Sequence, residues 1–184
     1  MKKYTAFKLL RVLSLILAVT ALTQFSSCGV KNDIKEFNDN SELLIKLGTK
    51  EKDIENIGNF TKVDYGGLSL DAGYYLRDSE NGISYKISGL MTDTSLRIIT
   101  EIEVSSDKLS FLGFKVGMET EEVREKIKEL ENIGYVVTLR PFYEDEYYCE
   151  KGDIELTLYI SGGTVLWNMR VNIKNAVDVR VMID

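Results

Sequence analysis

Four short patterns recur along this chain in the same order, and they constrain its fold more than any composition figure. Leu47-Gly48, with Ile54 six residues past the glycine, matches Val116-Gly117 with Val123 six past its own. Tyr74-Tyr75 matches Tyr147-Tyr148, Ile87-Ser88-Gly89 matches Ile160-Ser161-Gly162, and Ile98, Ile102 and Val104 match Val165, Met169 and Val171. The spacings are 69, 73, 73 and 67 residues. Self-similarity at a near-constant period implies one unit built twice. The spacing grows by four residues across a helical pattern, where Glu119 or Thr120 can cap and Val123, Ile127 and Leu130 follow at helical intervals. Its counterpart, Thr49 to Ile57, carries only Ile54 and Ile57, so the second helix is about one turn longer. The spacing shrinks by six where Ser161-Gly162-Gly163-Thr164 predicts a tight hairpin and Ser88-Gly89 to Ser95 a long loop. Both changes fall where length varies at little cost.

The strands are written in period two. Ile154, Leu156, Leu158 and Ile160 alternate with Glu155, Thr157 and Tyr159, and Val165, Trp167, Met169, Val171 and Ile173 with Leu166, Asn168, Arg170 and Asn172. In the first copy Ile83, Tyr85 and Ile87 alternate with Ser84 and Lys86, and Ile102 and Val104 with Glu101 and Glu103. Such strands have one buried and one wet face, as in an antiparallel sheet covered on one side. Asn81-Gly82 signals a hairpin turn, and Asp178-Val179-Arg180-Val181 a closing strand. The expected class is α+β, two tandem units of a short helical segment on about four antiparallel strands, over 41–108 and 109–184.

The chain's start is of another kind. Lys2, Lys3, Lys8 and Arg11 precede an apolar run from Val12 to Phe25, then Ser26-Ser27-Cys28-Gly29. The run is shorter than the roughly 20 residues a membrane-spanning helix needs. A basic start, an apolar middle and small residues before a cut describe a secretory signal. With cysteine at the cut, the pattern resembles the bacterial lipoprotein signal. That resemblance implies a signal over 1–27, lipid such as palmitate on Cys28, and a body held outside the cytoplasm at the cell envelope. Ordinary cleavage, leaving Cys28 a plain thiol, is the alternative. Residues 28–40 read as a polar tether, or in part as a short helix presenting Ile34 and Phe37.

Removing 27 residues with four basic and no acidic side chains takes 23 basic residues to 19 against 29 acidic, a net charge of −10. Such a body has no electrostatic reason to bind nucleic acid and is repelled by anionic lipid, so its membrane link would be covalent. With Cys28 lipidated, Cys149 stands alone, a small core residue by its neighbours; without lipid, a Cys28–Cys149 bridge is open.

The Gly117-Met118-Glu119-Thr120-Glu121-Glu122-Val123 helix start, followed by an aromatic hairpin and two long strands, resembles the β-lactamase-inhibitor-protein-like fold. A single copy of that unit occurs in the small lipoprotein of the outer-membrane β-barrel assembly machinery. The resemblance covers about residues 41–184 and implies a binding scaffold. It departs at Glu119, where the family often has Thr, at Leu47-Gly48-Thr49, which lacks Met, and in lacking the secreted inhibitors' paired cysteines.

Chemistry finds little footing. There is no histidine in the chain, which removes the usual general base and the commonest metal ligand. Glu121-Glu122 reads as a helix start, Glu144-Asp145-Glu146 as a solvated loop, and Asp78 to Gly82 as a hairpin turn rather than a calcium loop. No cofactor, no metal and no catalytic residue is expected. The aromatic pattern favours protein binding, since tyrosine and arginine carry interface energy. The expected surface is a wet sheet face of Tyr159, Arg170, Asn168, Lys86, Glu101 and Glu103, with Tyr74 and Tyr147, engaging another envelope or extracellular protein. The alternative is a small-ligand carrier or a carboxylate-based hydrolase with its site between the two repeats.

Overall fold

Period-two alternation needs a partner for each strand, and here the chain supplies it in one large sheet. The computed structural model describes residues 31–54, 57, 59–64, 73–89, 97–140 and 145–174. A helix over 31–39 (α1) and a single 3-10 turn at Glu51–Asp53 precede β1 (Thr61–Asp64), β2 (Tyr74–Asp78), β3 (Ile83–Ser88) and β4 (Ile98–Val104). A small hairpin of β5 (Ser110–Phe111) and β6 (Phe114–Lys115) leads to α2 (Thr120–Asn132). Then come β7 (Val136–Arg140), β8 (Glu146–Lys151), β9 (Ile154–Ser161) and β10 (Val165–Ile173). The protein is α+β: eight strands form one sheet in the order β1-β2-β3-β4-β10-β9-β8-β7, every neighbour antiparallel. At its centre β4 pairs with β10, setting Ile102 opposite Val171, Glu103 opposite Arg170 and Val104 opposite Met169.

One face carries the core. Tyr85, Ile87, Ile102, Val104, Leu156, Leu158, Ile160, Met169 and Val171 are all fully buried there. Val123, Ile127 and Leu130 of α2 pack against them at the predicted spacing, and Phe37, Phe111 and Phe114 close the same cluster. Neither predicted cap acts through its side chain: Glu119 holds the N-cap position without a capping bond, and the Thr120 hydroxyl donates to the Gly163 carbonyl at 2.8 Å. The hairpin turn there has both central residues, Gly162 and Gly163, at positive φ (54° and 70°), as its two-residue geometry requires. The Asn81-Gly82 turn also forms, with the Asn81 N–H donating to Asp78 Oδ1 at 3.1 Å.

Two details depart from strict alternation. A bulge puts Trp167 outside the β9–β10 register, so Leu166 is buried while Val165 and Trp167 are exposed. A bulge at Thr100 interrupts the β3–β4 register in the same way, and there Ile99 joins the core cluster while Ile98 is buried as well. An extra residue in one strand flips the face of everything beyond it, and nothing in the apolar pattern marks the place.

Residues 31–39 take the helical alternative. Ile34 and Phe37 are buried, and the Phe37 ring meets Phe111 edge-on at 5.7 Å. Asn38 acts as a surrogate strand: its amide donates to the Leu47 carbonyl and accepts from the Leu47 N–H, both at 3.0 Å. At the other end of α1, Lys151 pairs with Glu36 at 2.6 Å, and the Asp153 N–H donates to Asp33 at 3.4 Å. The signal, Cys28, the loop over 90–96 and the closing strand at Asp178–Val181 lie outside the described residues. Asn38→Ala strands a buried donor and a buried acceptor on Leu47, so urea unfolding should show a loss of about 2–4 kcal/mol.

Candidate binding face

Directly opposed residues in an antiparallel pair share a face, so the registers define what the uncovered side presents. One row across it reads Arg77, Ser84, Glu103, Arg170, Thr157, Tyr148 and Thr138. The row beside it reads Tyr75, Lys86, Glu101, Asn172, Glu155 and Glu150. A shorter one holds Asn168, Tyr159 and Glu146. Six of the eight residues expected on a binding face are therefore together: Tyr159, Arg170, Asn168, Lys86, Glu101 and Glu103. The other two are corrected. Tyr74 and Tyr147 lie on the covered face, opposite Ile87 and Leu158, and are buried. The Tyr74 hydroxyl donates to Glu51, and Tyr147 accepts from Arg124 at 3.4 Å. Tyr75 and Tyr148 are the outward members of each pair. Parity carries that signal, because Tyr147 shares its face with Cys149 and Tyr74 with Leu76.

The centre of this face is crowded and unevenly paired. Asn168 donates to Glu103 at 2.7 Å, so Glu103 is tied to Asn168 although its register partner is Arg170. The Arg170 guanidinium lies 5.5 Å from the Tyr159 ring centre, and Tyr159 lies 6.1 Å from the ring of Trp167, which is 42% exposed. To one side Arg140 stacks on Tyr148 at 4.2 Å while the Tyr148 hydroxyl donates to Glu146 at 2.6 Å. To the other, Lys86 reaches Glu101 at 3.9 Å, and Glu101 also accepts from Tyr75 at 3.4 Å. Thr157 is 1% exposed and Asn168 5%, although both stand on the side that no described helix covers. Thr157 Oγ1, Asn168 Oδ1 and Arg170 Nε are all buried without a hydrogen-bond partner among the described residues. Three orphan polar atoms on neighbouring residues concentrate an unusual desolvation cost in one place.

Burial pushes the Tyr159 phenol up to about 12, with Arg170 pulling it down and Glu146, Tyr148 and Glu103 adding to the rise. Cys149 is buried in the core as expected, its thiol pushed up to about 12 by the same desolvation, which leaves it a poor nucleophile near neutrality. Among the described residues, no group of three or more Cys, Asp or Glu side chains is arranged to hold a metal ion. The two halves of the sheet meet at the β4–β10 ladder. Comparison of the chain with protein-family models, curated proteins and solved structures found no match.

Two measurements check this geometry. Thr157→Val keeps the shape and removes an orphan hydroxyl, so unfolding stability should rise by about 1 kcal/mol. An unfolded tyrosine titrates near pH 10, so the stability from keeping Tyr159 neutral is full below about pH 10 and is lost as pH rises toward 12. Tyr159→Phe should therefore make the alkaline fall in stability shallower, and an unchanged slope would mean the phenol is not desolvated.

Proposed function

We propose that this chain is a non-catalytic protein-binding module of a bacterial envelope, anchored by lipid on Cys28, which engages its partner through the uncovered sheet face around Arg170. The observation that carries the reading is the cluster of Arg170, Tyr159 and Trp167, with polar atoms of Thr157, Asn168 and Arg170 itself buried and unpartnered among the described residues. Aromatic and arginine side chains at the centre of a patch are what a tight interface uses. Arg170 has no carboxylate within ion-pair distance among the described residues, which leaves the outer nitrogens of its guanidinium to meet a partner's acid.

The duplicated architecture implied by the β-lactamase-inhibitor-protein-like resemblance belongs to this proposal. It is supported by matching hydrogen bonds at the expected spacings. Gly48 N–H donates to the Ile99 carbonyl at 2.9 Å and Gly117 N–H to Leu166 at 2.7 Å, with the return bonds from Ile99 to Thr49 and from Leu166 to Met118. Both glycines have positive φ, 81° and 95°, and the bulges at Thr100 and Trp167 also stand 67 residues apart. Under that spacing Glu103 corresponds to Arg170, its own register partner, and the pairs Ile102–Val171 and Val104–Met169 exchange. The binding face would then straddle a two-fold relation between the units. Tyr74-Tyr75 and Tyr147-Tyr148 fit less closely: measured from the bulges, their registers differ by two residues, which preserves their faces.

The test uses the full chain solubilised from envelope as bait, with quantitative mass spectrometry of what it retains. One near-stoichiometric protein is expected. Tyr159→Ala with Arg170→Ala should weaken its capture at least tenfold, since two central residues together contribute on the order of 2–4 kcal/mol. Capture unaffected by the pair would place the interface elsewhere.

A further inference from the structure

Acidic overall, the chain nevertheless sorts its charges beside the expected anchor. Lys31, Lys35 and Lys46 line a groove of ≈ 460 Å³ with Ile34, Asn38 and Asp39. Asp39 is the one acid in that lining, paired with Lys35 at 2.7 Å and Lys46 at 3.9 Å, which leaves the groove with a surplus of two positive charges. The remaining acids of α1 are drawn away from it, Glu36 by Lys151 and Asp33 by the Asp153 N–H. All three groove lysines are exposed, Lys35 and Lys46 by 75% and 59% of their side chains.

Chain length fixes where this groove would stand. Cys28 precedes Lys31 by three residues, a span of at most about 11 Å even when fully extended. A lipid on Cys28 therefore holds the first turn of α1 against the headgroup layer, about a Debye length from its charges. We propose that the groove of Lys31, Lys35 and Lys46 seats the phosphate headgroup of an anionic phospholipid in the anchoring bilayer, fixing how the body stands on the membrane. The inference rests on lipidation of Cys28. It revises the expectation that anionic lipid repels the whole body, because a surface within one Debye length responds to the local charge and not to the net charge.

The groove and the anchor can be tested apart. The full chain is purified from bacterial membranes in detergent, and the mass of its N-terminal peptide reads the lipid on Cys28. The lipidated chain is then placed in vesicles of phosphatidylcholine alone or with about a third phosphatidylglycerol, and lysine acetylation is followed by peptide mass. Lys31, Lys35 and Lys46 should react about threefold more slowly with the anionic lipid present. Lys108, bonded to the Asn81 turn and outside the lining of the groove, should keep its rate. Lys46→Glu should abolish the difference at Lys31 and Lys35. Equal labelling in both vesicles on a lipidated chain overturns the groove and leaves the anchor standing. An unmodified Cys28 overturns both.

Discussion

The ladder between β4 and β10 is the interaction on which the rest depends. Each flanking set of strands is a meander of four, and a four-stranded sheet alone has two open edges and a small core. Pairing the final strand of each meander removes one edge from both and joins their buried rows, from Tyr74 to Ile173, into a single cluster. That continuity lets α1 do its work. The helix is fastened to Leu47 at one end and to the β8–β9 turn at the other, so it ties together regions that sequence separates by more than a hundred residues.

The same ladder decides what the open side can be. With the helices and the phenylalanine hairpin on one face, polar residues of eight strands fall on the other in rows whose order follows from register. Most of these polar groups find neighbours, as in the Lys86–Glu101–Tyr75 and Tyr148–Glu146 contacts. The exceptions gather beside Arg170, opposite the middle of the ladder. A protein selected only for stability would fill such positions with apolar residues of similar volume, and departures of this kind tend to be kept where a surface has another task.

Much of this was legible from the residues. Alternation located β3, β4, β9 and β10, helical spacing located α2, and glycine pairs located the tight turns, because each is a local pattern with a local physical cause. Six of the eight face residues followed from parity alone. The misplacement of Tyr74 and Tyr147 came from choosing a member of a pair without its neighbours' parity, which Leu76 and Cys149 supply. The bulges at Thr100 and Trp167 were not legible, since an extra residue in an apolar strand leaves the alternation looking intact while reversing its faces. Nor could spacing reveal that Thr157 and Asn168 would be buried on the uncovered side.

The two proposed surfaces are compatible because they lie on opposite sides of the sheet. The lysine groove is built on α1 and the chain that follows it, on the helix side, while Arg170, Tyr159 and Trp167 stand on the other. A body drawn to a bilayer by its helix side would turn its open face toward the aqueous space, where a protein can reach it. The open face instead sets Glu101, Glu103, Glu146, Glu150 and Glu155 among Arg77, Lys86, Arg140 and Arg170, so it offers an anionic surface no positive surplus of the kind the groove has. The short span from Cys28 to α1 and the positive surplus of the groove therefore favour the same orientation, and each does so for a separate physical reason.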